Sequence, residues 1–264
     1  MKFRLTISGF HLVGSITVLA VVLGGLYFGW YRWPGWYLSN APRVASTLIA
    51  VDAALGPFLT LLIANPAKPR RELARDIGVI VAVQLLALAY GASTLWSGRP
   101  LYYTFSEDRL QLVQASDLSE REIERARAEK PQFAPHWYSR PRWVWAPLPA
   151  DPAVRRQIVQ SALHGGDDVI QMPRYFRSWD SGLPALRSKL LTVEDQADVR
   201  FYRKKDRLRE LMARRGFAPD AASTMLMTGR SAPLLAVFDP GTLAIRAFLR
   251  ADFPIPGTVA ASRP

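Results

Sequence analysis

The chain has 264 residues, 34 Lys/Arg against 22 Asp/Glu for a net charge of +12, and no cysteine. The missing cysteine excludes disulfides, thiolate catalysis and zinc-thiolate centres. The charge is not a nucleic-acid signal: residues 1–98 hold 8 basic and 3 acidic residues (+5), the remainder 26 and 19 (+7), and in that remainder cations and acids interleave along solvated helix faces, as in RKKDRLRELMARR.

Three runs are apolar over the roughly 20 residues that a helix needs to cross a bilayer: 10–31 (FHLVGSITVLAVVLGGLYFGWY), 44–64 (VASTLIAVDAALGPFLTLLIA) and 77–97 (IGVIVAVQLLALAYGASTLWS). The first follows MKFR as a signal peptide would, but it is longer than an h-region and no small-x-small site follows it closely, so it reads as a retained span. Between spans one and two, Trp30, Trp33, Pro34 and Trp36 form an aromatic turn suited to the headgroup layer. Between spans two and three, Lys68, Arg70, Arg71 and Arg75 make a basic loop, and Lys2 and Arg4 precede span one, whereas the first loop has only Arg32 and Arg43. Short loops rich in Lys/Arg stay on the cytoplasmic side, which predicts a cytoplasmic N-terminus in the inner membrane of a bacterium. Residues 1–98 then form a three-helix transmembrane domain and residues 99–264 a periplasmic one.

Span two carries an anomaly. Asp52 sits in its middle, where a charge costs about 2.5–3.5 kcal/mol on insertion scales, and Pro57 removes the N–H that would bond the carbonyl of Ala53. Together with Gly56 these residues predict a polar notch. Counting outward from the loop centre near residue 70 places Asp52 at the depth of Tyr90, and Gln84 at the depth of Gly56. Two uses fit such a notch: a proton or ion relay, or a grip on another helix that brings its own polar group into the bilayer. Neither span two nor span three has a second ionisable group to complete a relay, so gripping is the preferred reading, beside a purely structural contact of Asp52 with Tyr90 or Gln84.

After the third span the period changes. LYYTF, the turn SED and RLQLV predict a β-hairpin over 101–113, and LSEREIERARAEK, with Ser119 three residues before Glu122, a capped surface helix ending at Pro131. A proline-rich connection with a short strand at RWVWA leads to a helix over 152–164 that stops at Gly165 and Gly166. A longer helix over 193–215, with Val199, Tyr202, Leu208, Leu211 and Met212 as its apolar stripe, precedes a second hairpin over 233–249. The expected fold is a membrane protein of three transmembrane α-helices followed by a small α+β extracytoplasmic domain with antiparallel hairpins and helices on one sheet face.

Little here builds an enzyme. His11, His136 and His164 stand at no metal-ligand spacing, no nucleophile or phosphate-loop motif is present, and HGGDD at 164–168 reads as a helix stop with an acidic turn rather than a cation site. No catalytic residue, cofactor or metal is expected.

The stretches VDAALGPFLTLLIANPAK, RDIGVIVAVQLLALAYG and GRPLYYTFSEDRLQLV, in this order, together with WYRWPGWYL, resemble the type IV pilin accessory proteins of the TfpX/TfpZ family over residues 1 to about 115. Gly9-Phe10 superficially imitates a prepilin cleavage site, but Gly14 replaces the glutamate at its fifth position and two more spans follow, so the chain is not read as a pilin. The resemblance implies a chaperone-like accessory for type IV pilus assembly whose partners are the major pilin, assembly-platform proteins and the lipid bilayer. Taken with the polar notch and the depth count, this makes Asp52, Gly56, Pro57, Gln84 and Tyr90 the expected contacts for the pilin helix. The alternatives are a pilin-modifying membrane enzyme and a proton-linked component centred on Asp52.

Overall fold

The computed structural model describes residues 1–195, 205–218, 221 and 223–250. It divides into two compact units, Met1–Arg99 and the chain from Pro100 onward.

The first unit contains three helices long and apolar enough to cross a membrane, Lys2–Tyr31, Ala41–Ile63 and Arg70–Ser97. The first and third begin eight and seven residues earlier than the apolar runs do, because polar residues at a helix end extend it into the interface at no packing cost. The first is α1 (Lys2–Leu26) continued by a π-helical turn, Tyr27–Tyr31. A short helix α2 (Gly35–Leu38) follows the cis peptide Trp33–Pro34. The second span is broken into α3 (Ala41–Ile49), a π-helical stretch Ala50–Leu55, and α4 (Gly56–Ile63). The π stretch ends two residues before Pro57, and the N–H of Gly56 donates to the carbonyl of Val51, five residues back. A proline that cannot donate is thus absorbed by a widened turn. The third span is α5 (Arg70–Ser97).

One half of this bundle is apolar. Leu19, Leu26, Leu48, Leu88 and Leu95 pack together with Tyr31 and Ala41. Gly91 lets α5 approach there, since a Cβ on it would overlap Leu48. The aromatic turn folds onto this half: Tyr31 is buried and its hydroxyl donates to the carbonyl of Leu95 at 2.5 Å, while Trp30 meets Trp96 edge-on at 4.9 Å. Pro34 is buried, and Trp36 packs edge-on against Tyr27 and Tyr31 at 5.5 and 5.9 Å. Trp33 alone among the four residues of the aromatic turn remains largely exposed.

Among its described residues the second unit is built on a seven-stranded sheet of order β4-β3-β1-β2-β5-β6-β7. The strands are β1 (Pro100–Ser106), β2 (Arg109–Gln114), β3 (Arg142–Trp145), β4 (Arg177–Ser178), β5 (Thr224–Thr228), β6 (Leu234–Phe238) and β7 (Ile245–Arg250). The expected hairpins are β1–β2 and β6–β7, and RWVW is a strand. The sheet is mixed, however: β1 pairs in parallel with β3 and β2 with β5. Long crossovers make those pairs, and residue patterns do not reveal crossover partners.

Helix α6 (Glu120–Glu129) starts at Ser119, whose hydroxyl accepts from the N–H of Glu122. Glu122 does not complete the box. It is buried and turns to Arg125 at 3.1 Å and Arg174 at 3.4 Å. Helix α7 (Pro152–Leu163) is capped by Asp151 and ends at His164 before Gly165, which has φ +80°. The carboxylates of HGGDD are both engaged: Asp168 caps the next turn through Val169 and lies 3.8 Å from Arg109, and Asp167 accepts from Ser119, 48 residues earlier. A short helix α8 (Leu183–Arg187) and α9 (Lys205–Arg214) follow among the described residues. Of the expected apolar stripe, Leu208 and Met212 are buried; Val199 and Tyr202 lie outside the described residues.

One sheet face carries two apolar clusters with helical residues, Ile158 against Tyr102, Val144 and Phe176, and Leu208 and Met212 against Leu226, Leu235 and Leu249. The other face is buried too, through Leu110, Met225, Met227, Leu234 and Phe238. Trp143 of β3 stacks on Phe248 of β7 at 6.2 Å although four strands separate them in the sheet order, so the sheet curls on itself.

Two predictions follow from this packing. Glu122→Ala leaves Arg174 without its carboxylate in a nearly buried position, and urea denaturation should show a loss of about 3–5 kcal/mol. In the loop Asp239–Ala244, the carboxylate of Asp239 accepts from the N–H and hydroxyl of Thr242 at 2.9 and 3.0 Å and from Arg246 at 2.8 Å. The Thr242 backbone bond, then Arg246 and the Thr242 hydroxyl, hold this carboxyl well below the usual range. A depressed folded-state pKa stabilises above the unfolded value near 3.9 and ceases to do so as pH falls through the folded one. Acid unfolding below about pH 4 should therefore be shallower in Asp239→Asn than in the parent.

Candidate functional site

The other half of the first unit is polar, and its residues come from all three spans. Ser8, His11 and Ser15 share one stripe of α1 by their spacings of three and four. His11 Nδ1 lies 2.5 Å from Thr60 Oγ1, and His11 Nε2 lies 2.7 Å from Gln84 Oε1. Gln84 Nε2 donates to the carbonyl of Asp52 at 3.0 Å and reaches Ser15 Oγ at 3.5 Å. Ser8 donates to the carbonyl of Pro57 at 2.8 Å.

These bonds determine one another. A carbonyl only accepts, so the amide nitrogen of Gln84 faces Asp52 and its oxygen faces His11. That oxygen requires Nε2–H on His11, and in the neutral ring Nδ1 then accepts the proton of Thr60. Interhelical bonds of this kind contribute about 0.6 kcal/mol each on average in a membrane protein. Gly56 permits the arrangement: a Cβ there would overlap the amide of Gln84.

Asp52 stands apart within this network. Its residue is only 4% exposed, and among the described residues no group makes a hydrogen bond of good geometry to either carboxylate oxygen, the Gln84 amide beside it being the side chain that acts on it. It helps line a cavity of about 550 Å³ whose walls come mainly from α1 (Ile7, Phe10, Gly14, Val18) and α5 (Ile77, Val81, Leu85, Leu88), with His11, Ser15 and Gln84 as its other polar lining. Phe10, Val18 and Leu85 are substantially exposed, so the cavity has an apolar rim facing outward from the bundle. Hydrocarbon offers no donors, and a buried acceptor with no well-aligned internal donor in such a groove is a place for an incoming polar group.

The structure therefore brings Asp52, Gly56 and Gln84 together, with Pro57 bound through its carbonyl. Gln84 lies at the depth of Gly56, as the count from the loop places it. Tyr90 does not join them: it is 77% exposed. Equal depth is not equal direction, since the six residues from Gln84 to Tyr90 turn roughly 240° around α5. Ser8, His11, Ser15 and Thr60 are the members that sequence reasoning missed. The Ser8-His11-Ser15 stripe on an otherwise apolar span is the signal that could have found the first three. In the basic loop, Lys68 pairs with Asp76 at 2.8 Å, Arg75 approaches the same carboxylate at 3.8 Å, and Arg70 and Arg71 are exposed.

Three apolar spans with a polar intramembrane groove, followed by a curled mixed sheet, define a multi-pass membrane protein with a small α+β domain. The chain is 29% identical over 188 residues to the fimbrial assembly protein of serogroup I from Dichelobacter nodosus, covering 70% of each. It is 27% identical over 218 residues to that of serogroup E1, covering 78% of this chain and 82% of the relative. It is 30% identical over 124 residues to that of serogroups C1 and C2, covering 47% of this chain and 95% of the relative. The chain belongs to the family of these fimbrial assembly proteins. No family model matches it, and no solved structure does.

Gly56→Val should displace Gln84 and lower the stability of the detergent-solubilised protein by about 1–3 kcal/mol, the usual cost of overpacking. Gly78, with open space around it, provides the control: Gly78→Ala should leave the melting temperature unchanged or slightly raised.

Proposed function

We propose that this protein is an inner-membrane accessory of type IV pilus assembly, of the TfpX/TfpZ kind, that binds the major pilin before or during its incorporation. In this reading the N-terminus is cytoplasmic and the domain after Arg99 is periplasmic. The role is that of a non-catalytic holder, with assembly-platform proteins as further partners. The relatives' description as fimbrial assembly proteins supports the pilus context. The observation that carries the binding role is the carboxylate of Asp52, buried without a well-aligned donor in an apolar-rimmed groove. A pilin helix laid against α1 and α5 would cover that rim and bring a polar group to Asp52. The positions expected to matter are Asp52, Gly56, Pro57 and Gln84, now joined by His11 and Thr60.

A second reading has one observation in its favour. His11 and Asp52 line the same groove, so span one supplies the ionisable group that spans two and three lack, and a proton-linked role becomes chemically possible.

Photo-crosslinkers at Phe10 and Leu85 in the native host should capture the major pilin, and Asp52→Asn and Asp52→Ala should each reduce capture roughly tenfold, the equivalent of about 1.4 kcal/mol. Undiminished capture with loss of surface fimbriae would favour the proton-linked reading. Capture of platform proteins alone would overturn direct pilin binding. A pilin of altered mass in a strain lacking this protein would point to a modifying enzyme instead.

A further inference from the structure

The proline-rich connection between α6 and β3 ends in a turn that the fibre role does not use. His136 and Ser139 close it with two hydrogen bonds, the N–H of His136 donating to Ser139 Oγ at 2.8 Å and the N–H of Ser139 to the carbonyl of His136 at 3.1 Å. Its side chains form an aromatic group outside the core. His136 stacks on Tyr138 at 5.4 Å, and Trp137 meets Tyr138 edge-on at 5.5 Å. Trp137 is 72% exposed and Tyr138 58%. The base of the segment is fastened: Arg142 donates to the carbonyl of Gln132 at 2.6 Å and lies over the rings of Tyr102 and Phe133, and the hydroxyl of Tyr102 donates to the carbonyl of Phe133. Large aromatic side chains held out on a fastened base call for a surface to rest on.

Strand pairing tells which end of the sheet carries them. β3 runs parallel to β1 with Tyr102 opposite Arg142, so the turn before Arg142 lies at the sheet end where β1 begins. Only Gly98 and Arg99 separate that beginning from the last residue of α5, a reach of roughly 10 Å even when fully extended. The same sheet end carries cations: Arg140 stands two residues before Arg142, and β5 runs parallel to β2 and leads into Arg230. Arg140 and Arg230 are exposed. Asp117, also at this end, is paired with Arg230 at 2.6 Å. The opposite end has the acidic turns, Glu107 and Asp108 between β1 and β2 and Asp239 between β6 and β7.

We propose that the turn His136–Ser139 seats its aromatic side chains in the headgroup layer of the membrane that the three helices span, with the arginines of this sheet end against anionic lipid phosphates. Tryptophan and tyrosine favour that layer because their rings are apolar at one end and hydrogen-bonding at the other, and arginine is drawn to the negative surface. The inference rests on the membrane anchor alone and is independent of what the groove at Asp52 binds.

The absence of native cysteine makes the test direct. The full chain is reconstituted in phosphatidylcholine nanodiscs with and without phosphatidylglycerol, carrying a single environment-sensitive fluorophore at Trp137→Cys, at Tyr138→Cys (which keeps Trp137), or at Asp108→Cys on the opposite end. The labels at 137 and 138 should shift to the blue and lose most of their emission to headgroup spin-labelled lipid, more so with phosphatidylglycerol, while the label at 108 stays unquenched. Equal quenching at 108, or water-like emission at 137 and 138, overturns the proposal. So does a photo-crosslinker at 138 that captures a protein rather than lipid in the native host, since the turn would then be a protein-docking surface.

Discussion

Hydrocarbon offers no hydrogen bonds, and the first unit is organised around that scarcity. A polar group inside a span bonds to its own helix, as Thr17 does to Val13 and Thr94 to Tyr90, or finds a partner on another span. Gln84 is the hinge of the solution, because one amide accepts from His11 and donates to the backbone of Asp52 at once. It can do so only because position 56 has no side chain. Substituting a hydrophobic residue for Gln84 would remove the link between all three spans, although it would look favourable on any hydropathy scale.

The π-helical stretch Ala50–Leu55 belongs to the same problem. Pro57 withholds a donor, and the helix answers by widening a turn earlier in the chain, which aims the Asp52 carbonyl at Gln84 while its carboxylate stays without a well-aligned donor. Backbone and side chain of one residue thus have opposite fates. The carbonyl is used to build the bundle, and the carboxylate is left over. The apolar half contrasts with this: there Leu48 fills the space above Gly91 and the Tyr31 hydroxyl ties the aromatic turn to the carbonyl of Leu95.

The three spans, both hairpins, the strand at RWVW and the helix stop at Gly165 were legible because each is written in local periodicity or in a turn residue. Depth in the membrane was legible too, by counting from the loop, which is why Gln84 falls beside Gly56. Direction around a helix was not, and Tyr90 points away. His11 was hidden because a lone histidine in an apolar run has no partner in sequence; its partners are 49 and 73 positions away. The strand β5 was hidden because its interior, Met-Leu-Met, is unbranched at Cβ and shows no alternation with polar residues. The parallel pairs were beyond reach for a deeper reason: they join strands whose connections run through whole helices.

That last feature governs how the second unit comes together. β2 pairs with β5 through Leu110 and Met227, so the seam between the two halves of the sheet joins residues on either side of most of the domain. While the chain emerges from the ribosome, β1 to β4 can assemble as a self-contained half sheet, with local hairpin contacts forming first. Throughout that interval β2 is an open edge, with unpaired backbone groups over a buried-type sequence, Leu-Gln-Leu-Val. Only the arrival of β5 to β7 closes it. A chain truncated before β5 would therefore present a templating edge at the heart of its sheet, and residues 224–250 act as the cover that keeps newly made copies from pairing with one another.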